Sequence, residues 1–200
     1  MRFTTRQKAI LAGTLLGDAS LQKTGEKNAR LRLEHGGKQK EYLHWKAIQF
    51  SQLFDRAPEC IVRTHPYTKK EYTYWRWQSH ATPELGKWRA LFYPNGAKHI
   101  PDMLKKLIKE PLALAVWYMD DGYYNPSEKH SFIYLGRVNG REAEIARQAI
   151  KDNFDLKARI YDKKEKGFAL FFSVAETKRL HTLIRDNVIP SMHYKLSLTP

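Results

Sequence analysis

The sequence predicts an α+β fold made of two similar halves. Three observations predict it. An apolar helical stretch ending in an acid occurs twice, 121 − 18 = 103 residues apart in a chain of 200. Each copy is followed by pairs of short segments in which apolar and polar residues alternate, the period of a half-buried strand. Between those pairs lie segments with helical spacing, so each half reads helix, two strands, helix, two strands, helix. A duplicated αββαββα half-domain is the economical description, with residues 1–100 and 101–200 as the halves and the connection around 94–110.

In the first half, Thr4 or Thr5 caps a helix running to about Gly17, with Ile10, Leu11, Leu15 and Leu16 apolar. Gly13 and Gly17 are four apart, share a face, and let another backbone come close. Residues 19–23 and 29–34 alternate across a turn at Thr24-Gly25-Glu26. Residues 38–54 read as one helix, with Tyr42, Trp45, Ile48 and Phe50 or Leu53 as its apolar stripe. Residues 60–65 and 72–79 read as a hairpin bending at Tyr67-Thr68-Lys69-Lys70. Thr82, with Pro83 in the first helical position, starts a helix through Phe92. Pro94-Asn95-Gly96 breaks the chain before Lys98-His99-Ile100-Pro101 and a short basic helix.

In the second half, Glu110-Pro111 opens the helix Leu114-Ala115-Val116-Trp117-Tyr118-Met119-Asp120-Asp121-Gly122. Gly122 is expected to close it in the left-handed conformation. Residues 123–125 and 131–137 pair, 141–154 are helical, and 156–162 with 168–173 form a hairpin across 163–167. Residues 176–187 close the plan as a helix, and Val188-Ile189-Pro190-Ser191-Met192 echoes His99-Ile100-Pro101-Asp102-Met103.

Lys and Arg number 35 against 21 Asp and Glu, a net charge of +14, which points to a polyanionic partner. There is no apolar run of membrane-spanning length and no lipidation signal, and Met1-Arg2-Phe3-Thr4-Thr5 runs into the first helix without a signal peptide. The expectation is a soluble intracellular protein of a bacterial or archaeal cytoplasm or an organelle. The single cysteine, Cys60, excludes an internal disulfide and a cysteine zinc site; it is expected to be a small core residue of a strand. No P-loop, G-x-S-x-G or dinucleotide fingerprint is present.

Asp18 and Asp121 are the first candidates for chemistry. An acid in the last turn of a helix faces the negative end of the dipole, at a cost of roughly 0.3–1 kcal/mol, so a bound cation is the simplest reason for it. Mg²⁺ favours one or two carboxylates with waters and phosphate oxygens. Asp120 reads three ways: ligand, helix-end acid, or partner of a base. Lys98 and Lys195 flank the two Ile-Pro elements and suit the stabilisation of charge on a phosphate; Lys106 competes with Lys195 by register. The third signal is the strand faces. Arg30 and Arg32, Arg63 and His65, Tyr74, Arg76 and Gln78, and Lys157, Arg159 and Tyr161 project at two-residue spacing, opposite Leu31, Leu33, Trp75, Trp77, Ala158 and Ile160. Such donors fit guanine and phosphate. Arg137 joins them, and His35, His65 and His193 are further candidates for DNA contact.

These residues resemble the LAGLIDADG homing endonucleases. Leu11-Ala12-Gly13-Thr14-Leu15-Leu16-Gly17-Asp18-Ala19 matches one signature, ending in Ala where Gly is typical, and Leu114–Gly122 matches a second less literally. The flanks, 117–122 and Ile189-Pro190-Ser191-Met192-His193-Tyr194-Lys195-Leu196, are similar to the single-chain, two-motif branch that includes the yeast mitochondrial omega-intron enzyme. The resemblance covers nearly the whole chain. It implies a pseudo-twofold monomer in which two antiparallel sheets form a DNA-binding saddle around a central helix pair. It implies Asp18 and Asp121, with the backbone of Ala19 and Gly122, as holders of Mg²⁺, with Mn²⁺ as a substitute, and Lys98 and Lys195 in supporting catalytic positions. The implied partner is double-stranded DNA with a long asymmetric site, with no membrane and no obligate protein partner. An RNA maturase, or a non-catalytic DNA-binding protein on the same fold, is the alternative; retention of both acids favours the enzyme. No splicing-domain residues flank the motifs, so an intron or free-standing origin is expected rather than an intein.

Overall fold

The structure, a computed structural model, describes residues 2–197. The chain forms two compact units. One comprises Asp18–Leu91 with Arg2; the other comprises Phe3–Gly17 and the chain from Phe92 onward.

In the first unit, β1 (Ser20–Lys23), β2 (Ala29–Gly36), β3 (Glu59–Thr64) and β4 (Glu71–Thr82) form an antiparallel sheet of order β1-β2-β4-β3. Ala29, Leu31, Leu33 and His35 of β2 point inward and are buried, while Arg30, Arg32 and Glu34 point outward. The β2–β4 register runs Arg30 to Ala81 and then Arg32 to Gln78, so β4 carries a bulge. Ser79 fills it, its Oγ accepting from the Leu31 amide at 2.8 Å. Helix α2 (Lys40–Ile48) and a 3-10 turn over Ser51–Leu53 cover the inner face, and α3 (Pro83–Phe92) follows β4. Thr82 Oγ1 caps α3 by accepting from the Leu85 amide at 3.2 Å.

Three expectations for this unit are corrected. The helix over 38–54 is three pieces. After α2 the chain turns, so that Phe50 and Leu53 are buried and Ile48, assigned to the apolar stripe, is 65% exposed. Cys60 lies on a strand as expected but is exposed, because β3 is an edge strand that nothing covers over most of its length. His35 does not reach outward to DNA; it continues the buried row of β2.

In the second unit, α1 (Thr5–Leu16) starts at a Thr4–Gln7 capping box. It packs on α5 (Pro111–Asp121), which is buried from Leu112 to Asp120. The glycine spacing explains the approach. A Cβ on Gly13 would lie 2.4 Å from the Ala113 carbonyl oxygen, and one on Gly17 would lie 2.4 Å from Asp120 Oδ2. After the short α4 (Leu104–Leu107) and α5, a second antiparallel sheet repeats the order of the first. Its strands are β5 (Gly122–Asn125), β6 (His130–Gly136), β7 (Ala158–Asp162) and β8 (Phe168–Phe172), ordered β5-β6-β8-β7. Helices α6 (Gly140–Phe154) and α7 (Val174–Ile184) complete the unit, with a 3-10 segment at Pro190–Lys195.

Gly122 does end α5, for a different reason from the one expected. Its φ and ψ are −73° and 144°, extended and not left-handed. Glycine is required there because a Cβ would stand 2.3 Å from the Tyr118 carbonyl oxygen. No helix among the described residues is long and apolar enough to cross a membrane.

Candidate active site and nucleic-acid interface

Helix C-termini leave carbonyls without intrahelical partners. In the second unit a lysine is seated on each of the two motif-helix ends. Lys98 Nζ donates to the Gly17 carbonyl, the cap of α1, at 2.5 Å. Lys195 Nζ donates to the carbonyls of Met119 and Asp120 in the last turn of α5, at 2.6 and 2.8 Å. Both ammonium groups meet the negative pole of a helix beside the acids that pole disfavours. Lys106, its competitor by register, is exposed on α4, whereas Lys195 is seated on the end of α5.

Each lysine is itself anchored. Ile100 N and His99 Nδ1 lie 2.9 and 3.1 Å from Glu142 Oε1, and Glu142 belongs to the capping box that starts α6. On the other side, Tyr118 Oη donates to the Lys195 carbonyl at 3.0 Å and lies 2.9 Å from His181 Nε2, with Ser131 Oγ 3.1 Å away. The Ser197 amide donates to His181 Nδ1 at 2.9 Å, so the ring proton sits on Nε2. Burial, then the charge of Arg185, pulls the His181 pKa down to about 4, and burial pushes the Tyr118 hydroxyl up.

Asp121 lines a cavity of about 290 Å³ together with Gly17, Lys98, Trp117 and Arg137. Asp120 is 9% exposed, its carboxylate against Gly17. Asp18, in the first unit, is partly exposed, with Oδ2 3.5 Å from His35 Nδ1. Ala19 and Gly122, which follow the two acids, are buried.

The outward face of the first sheet carries Arg30, Arg32, Tyr74, Arg76, Gln78 and Arg63, as the alternation predicts. It also carries an acid that sequence reasoning passed over. Glu34 accepts from Arg32 and Arg76 at 2.8 Å each and from Arg63 at 2.7 Å. Burial alone would raise its pKa, but the bonds from Arg32, Arg76 and Arg63 outweigh it and hold the carboxyl at about 2. The alternation that put Arg30 and Arg32 outward puts Glu34 there too. Arg30 Nε donates to Gln22 at 3.0 Å, and Arg63 lies over the Tyr74 ring. His65 stands just past β3, where its Nδ1 accepts from the amides of Tyr67 and Thr68 and shapes the bend. Trp75 and Trp77 face inward but are only half-buried.

The outward face of the second sheet is different in kind. Arg159 and Tyr161 project as predicted, and Lys157 lies just before β7, its amide donating to Glu176. Arg137 follows β6, with Nε donating to the Glu165 carbonyl. The centre is aromatic: Phe132 packs on Tyr134, Tyr161 and Phe171, with ring centres 6.0, 5.8 and 5.3 Å away. Lys163 Nζ lies 4.4 Å above Phe132. Alternation of Phe132 and Tyr134 with Ile133 was the available signal. His193, proposed for DNA contact, has Nε2 3.0 Å from the Val188 carbonyl.

Protein RecA of Mycolicibacterium flavescens is 29% identical over 98% of this chain and 47% of its own length; the chain spans half or less of the length of the RecA proteins it matches. A probable intron-encoded endonuclease of Wickerhamomyces canadensis is 28% identical over 95% of this chain and 83% of its own. The expectation of an intron or free-standing origin thus meets relatives of two kinds. The structure of the homing endonuclease I-WcaI bound to its DNA recognition sequence superposes with a TM-score of 0.91, over 100% of this chain and 89% of that one, at 23% identity. That likeness covers the duplicated α+β plan from end to end. The profile of the LAGLIDADG DNA endonuclease family matches residues 8–180, both acid-bearing helix ends included, and the chain belongs to that family.

Proposed function

We propose that this chain is a site-specific double-strand DNA endonuclease that hydrolyses phosphodiesters at the ends of α1 and α5. The observation that carries the reading is the matched pair of lysines, Lys98 and Lys195, each fixed on the carbonyls of a helix that ends in an acid. A lysine held this way keeps its charge where a scissile phosphate gains negative charge, and needs no reorganisation during reaction.

The donor set fits a hard divalent cation. Asp18 and Asp121 offer carboxylate oxygens, which suit Mg²⁺, and Mn²⁺ as its substitute. Each would hold a cation with the backbone of the residue that follows it, Ala19 after Asp18 and Gly122 after Asp121. When bound, the cation supplies polarisation of the phosphate and a more acidic water. The chain's own part is to fix the acids on rigid helix ends and to bring in the lysines. The two outward sheet faces supply the DNA contact. The arginine face of the first sheet offers donors for guanine and phosphate, and the tyrosine-rimmed face of the second offers apolar contact.

The test is a cleavage selection on a randomised duplex library with Mg²⁺, followed by sequencing of the ends. Recovery of one long, asymmetric sequence cut on both strands supports the reading. Binding of a specific duplex with no cutting under Mg²⁺ or Mn²⁺ would overturn it.

A further inference from the structure

Lys46 of α2 is fully buried. An ammonium withdrawn from water is costly unless its protons meet acceptors. Lys46 Nζ lies 3.1 Å from His35 Nε2 and 4.3 Å from the centre of the Tyr42 ring. An ammonium has three donors and no acceptor, so Nε2 must present its lone pair. The remaining ring proton then sits on Nδ1, which lies 3.5 Å from Asp18 Oδ2. His35 is 3% exposed, and the Tyr42 ring centre packs 5.0 Å from its own.

We propose that Lys46 and His35 are positioning residues for Asp18. Lys46 sets the tautomer of His35, and His35 places its N–H within ion-pair distance of one carboxylate oxygen of Asp18. The inference rests on the reading of Asp18 as a metal ligand, since a polar group behind a ligand steers its orientation and tunes its affinity.

The position that matches His35 in the second half holds a different kind of residue. Ser20 pairs with Arg32, and its counterpart 103 residues on, Tyr123, pairs with Phe132. The position matching His35 is therefore Leu135, an apolar residue on the Asp121 cavity. A leucine cannot donate to a carboxylate, so this position supports only Asp18 in this way.

The test has two arms on the full chain. The first is the ¹⁵N spectrum of the His35 ring in metal-free protein. The expected result is a neutral ring protonated at Nδ1 in the wild type, moving toward Nε2–H in Lys46→Met. A wild-type ring protonated at Nε2 overturns the proposal, and that spectrum decides even if the variant fails to fold. The second arm is Mn²⁺ binding followed by electron paramagnetic resonance. His35→Leu should weaken it about 10–100-fold. His35→Asn, whose amide can stand in for the Nδ1–H, should recover most of the loss. If Asp18→Asn loses Mn²⁺ binding while His35→Leu keeps it, the positioning role is wrong. If Asp18→Asn itself binds Mn²⁺ normally, the ligand reading falls, and the role of the pair falls with it.

Discussion

At the scale of single residues, the acids and their partners make the clearest predictions. Asp121→Asn and Asp18→Asn keep shape and remove charge. Each is expected to abolish double-strand cleavage, measured on supercoiled plasmid carrying the selected site, with duplex binding largely kept. Full cleavage by either folded variant would remove that residue from the chemistry. Glu34 gives a prediction about pH. Its folded pKa of about 2 lies below the ordinary value of 4.5, so the unfolded chain binds its proton first. Its contribution to stability is complete above about 4.5 and is lost as pH falls from there toward 2. Urea unfolding at pH 6 and pH 3 should show a smaller acid-induced loss in Glu34→Gln than in the wild type. Equal losses would mean that the three arginines do not stabilise the ionised carboxylate. His181 behaves with the opposite charge but the same direction. Its depressed pKa makes folding weaker as pH falls from 6.5 toward 4.

At the scale of elements, the second sheet invites a test that the first does not. Tyr134 and Tyr161, backed by Phe132 and Phe171, present ring surface where the first sheet presents guanidinium groups. In the major groove the thymine methyl is the apolar feature of a base pair. Replacing thymine by uracil in the half-site bound by the second sheet should weaken binding more than the same change in the other half. Equal sensitivity of the two halves in a filter-binding titration would deny the aromatic face a reading role. Much of this was legible in the sequence. Alternation fixed which side of β2, β4 and β7 each arginine takes, and the glycine spacing in α1 foretold the close approach to α5. What stayed hidden depends on groups distant in the chain. Glu34 gathers Arg63 and Arg76 from other strands, Cys60 is exposed because β3 is an edge, and Gly122 answers to the Tyr118 carbonyl rather than to a left-handed turn. His35 was readable, since it continues the row of Leu31 and Leu33, but its lysine partner lies on another element.

At the scale of the whole molecule, a net charge of +14 makes binding dependent on salt. If about 6–10 phosphates are neutralised, affinity for target duplex should fall roughly 10³–10⁵-fold between 50 and 200 mM salt. A flat salt response would contradict a phosphate-based interface. The chain also carries two acid-bearing helix ends and two unlike reading faces, so one molecule has what a two-strand cut needs. Arg30, Arg32, Arg63 and Arg76 lie on one sheet face, and Arg159, Tyr161 and the phenylalanines on the other. Unlike side chains cannot favour the same bases, because each base pair shows its own pattern of donors, acceptors and methyl groups in the major groove. The expected target is therefore asymmetric, bound by one molecule. Palindromes built from the left and right half-sites should each be cut more slowly than the natural site, and sedimentation with target duplex should give a 1:1 complex. A 2:1 complex, or a palindrome cut as fast as the natural site, would show that the two faces do not act as one asymmetric reader.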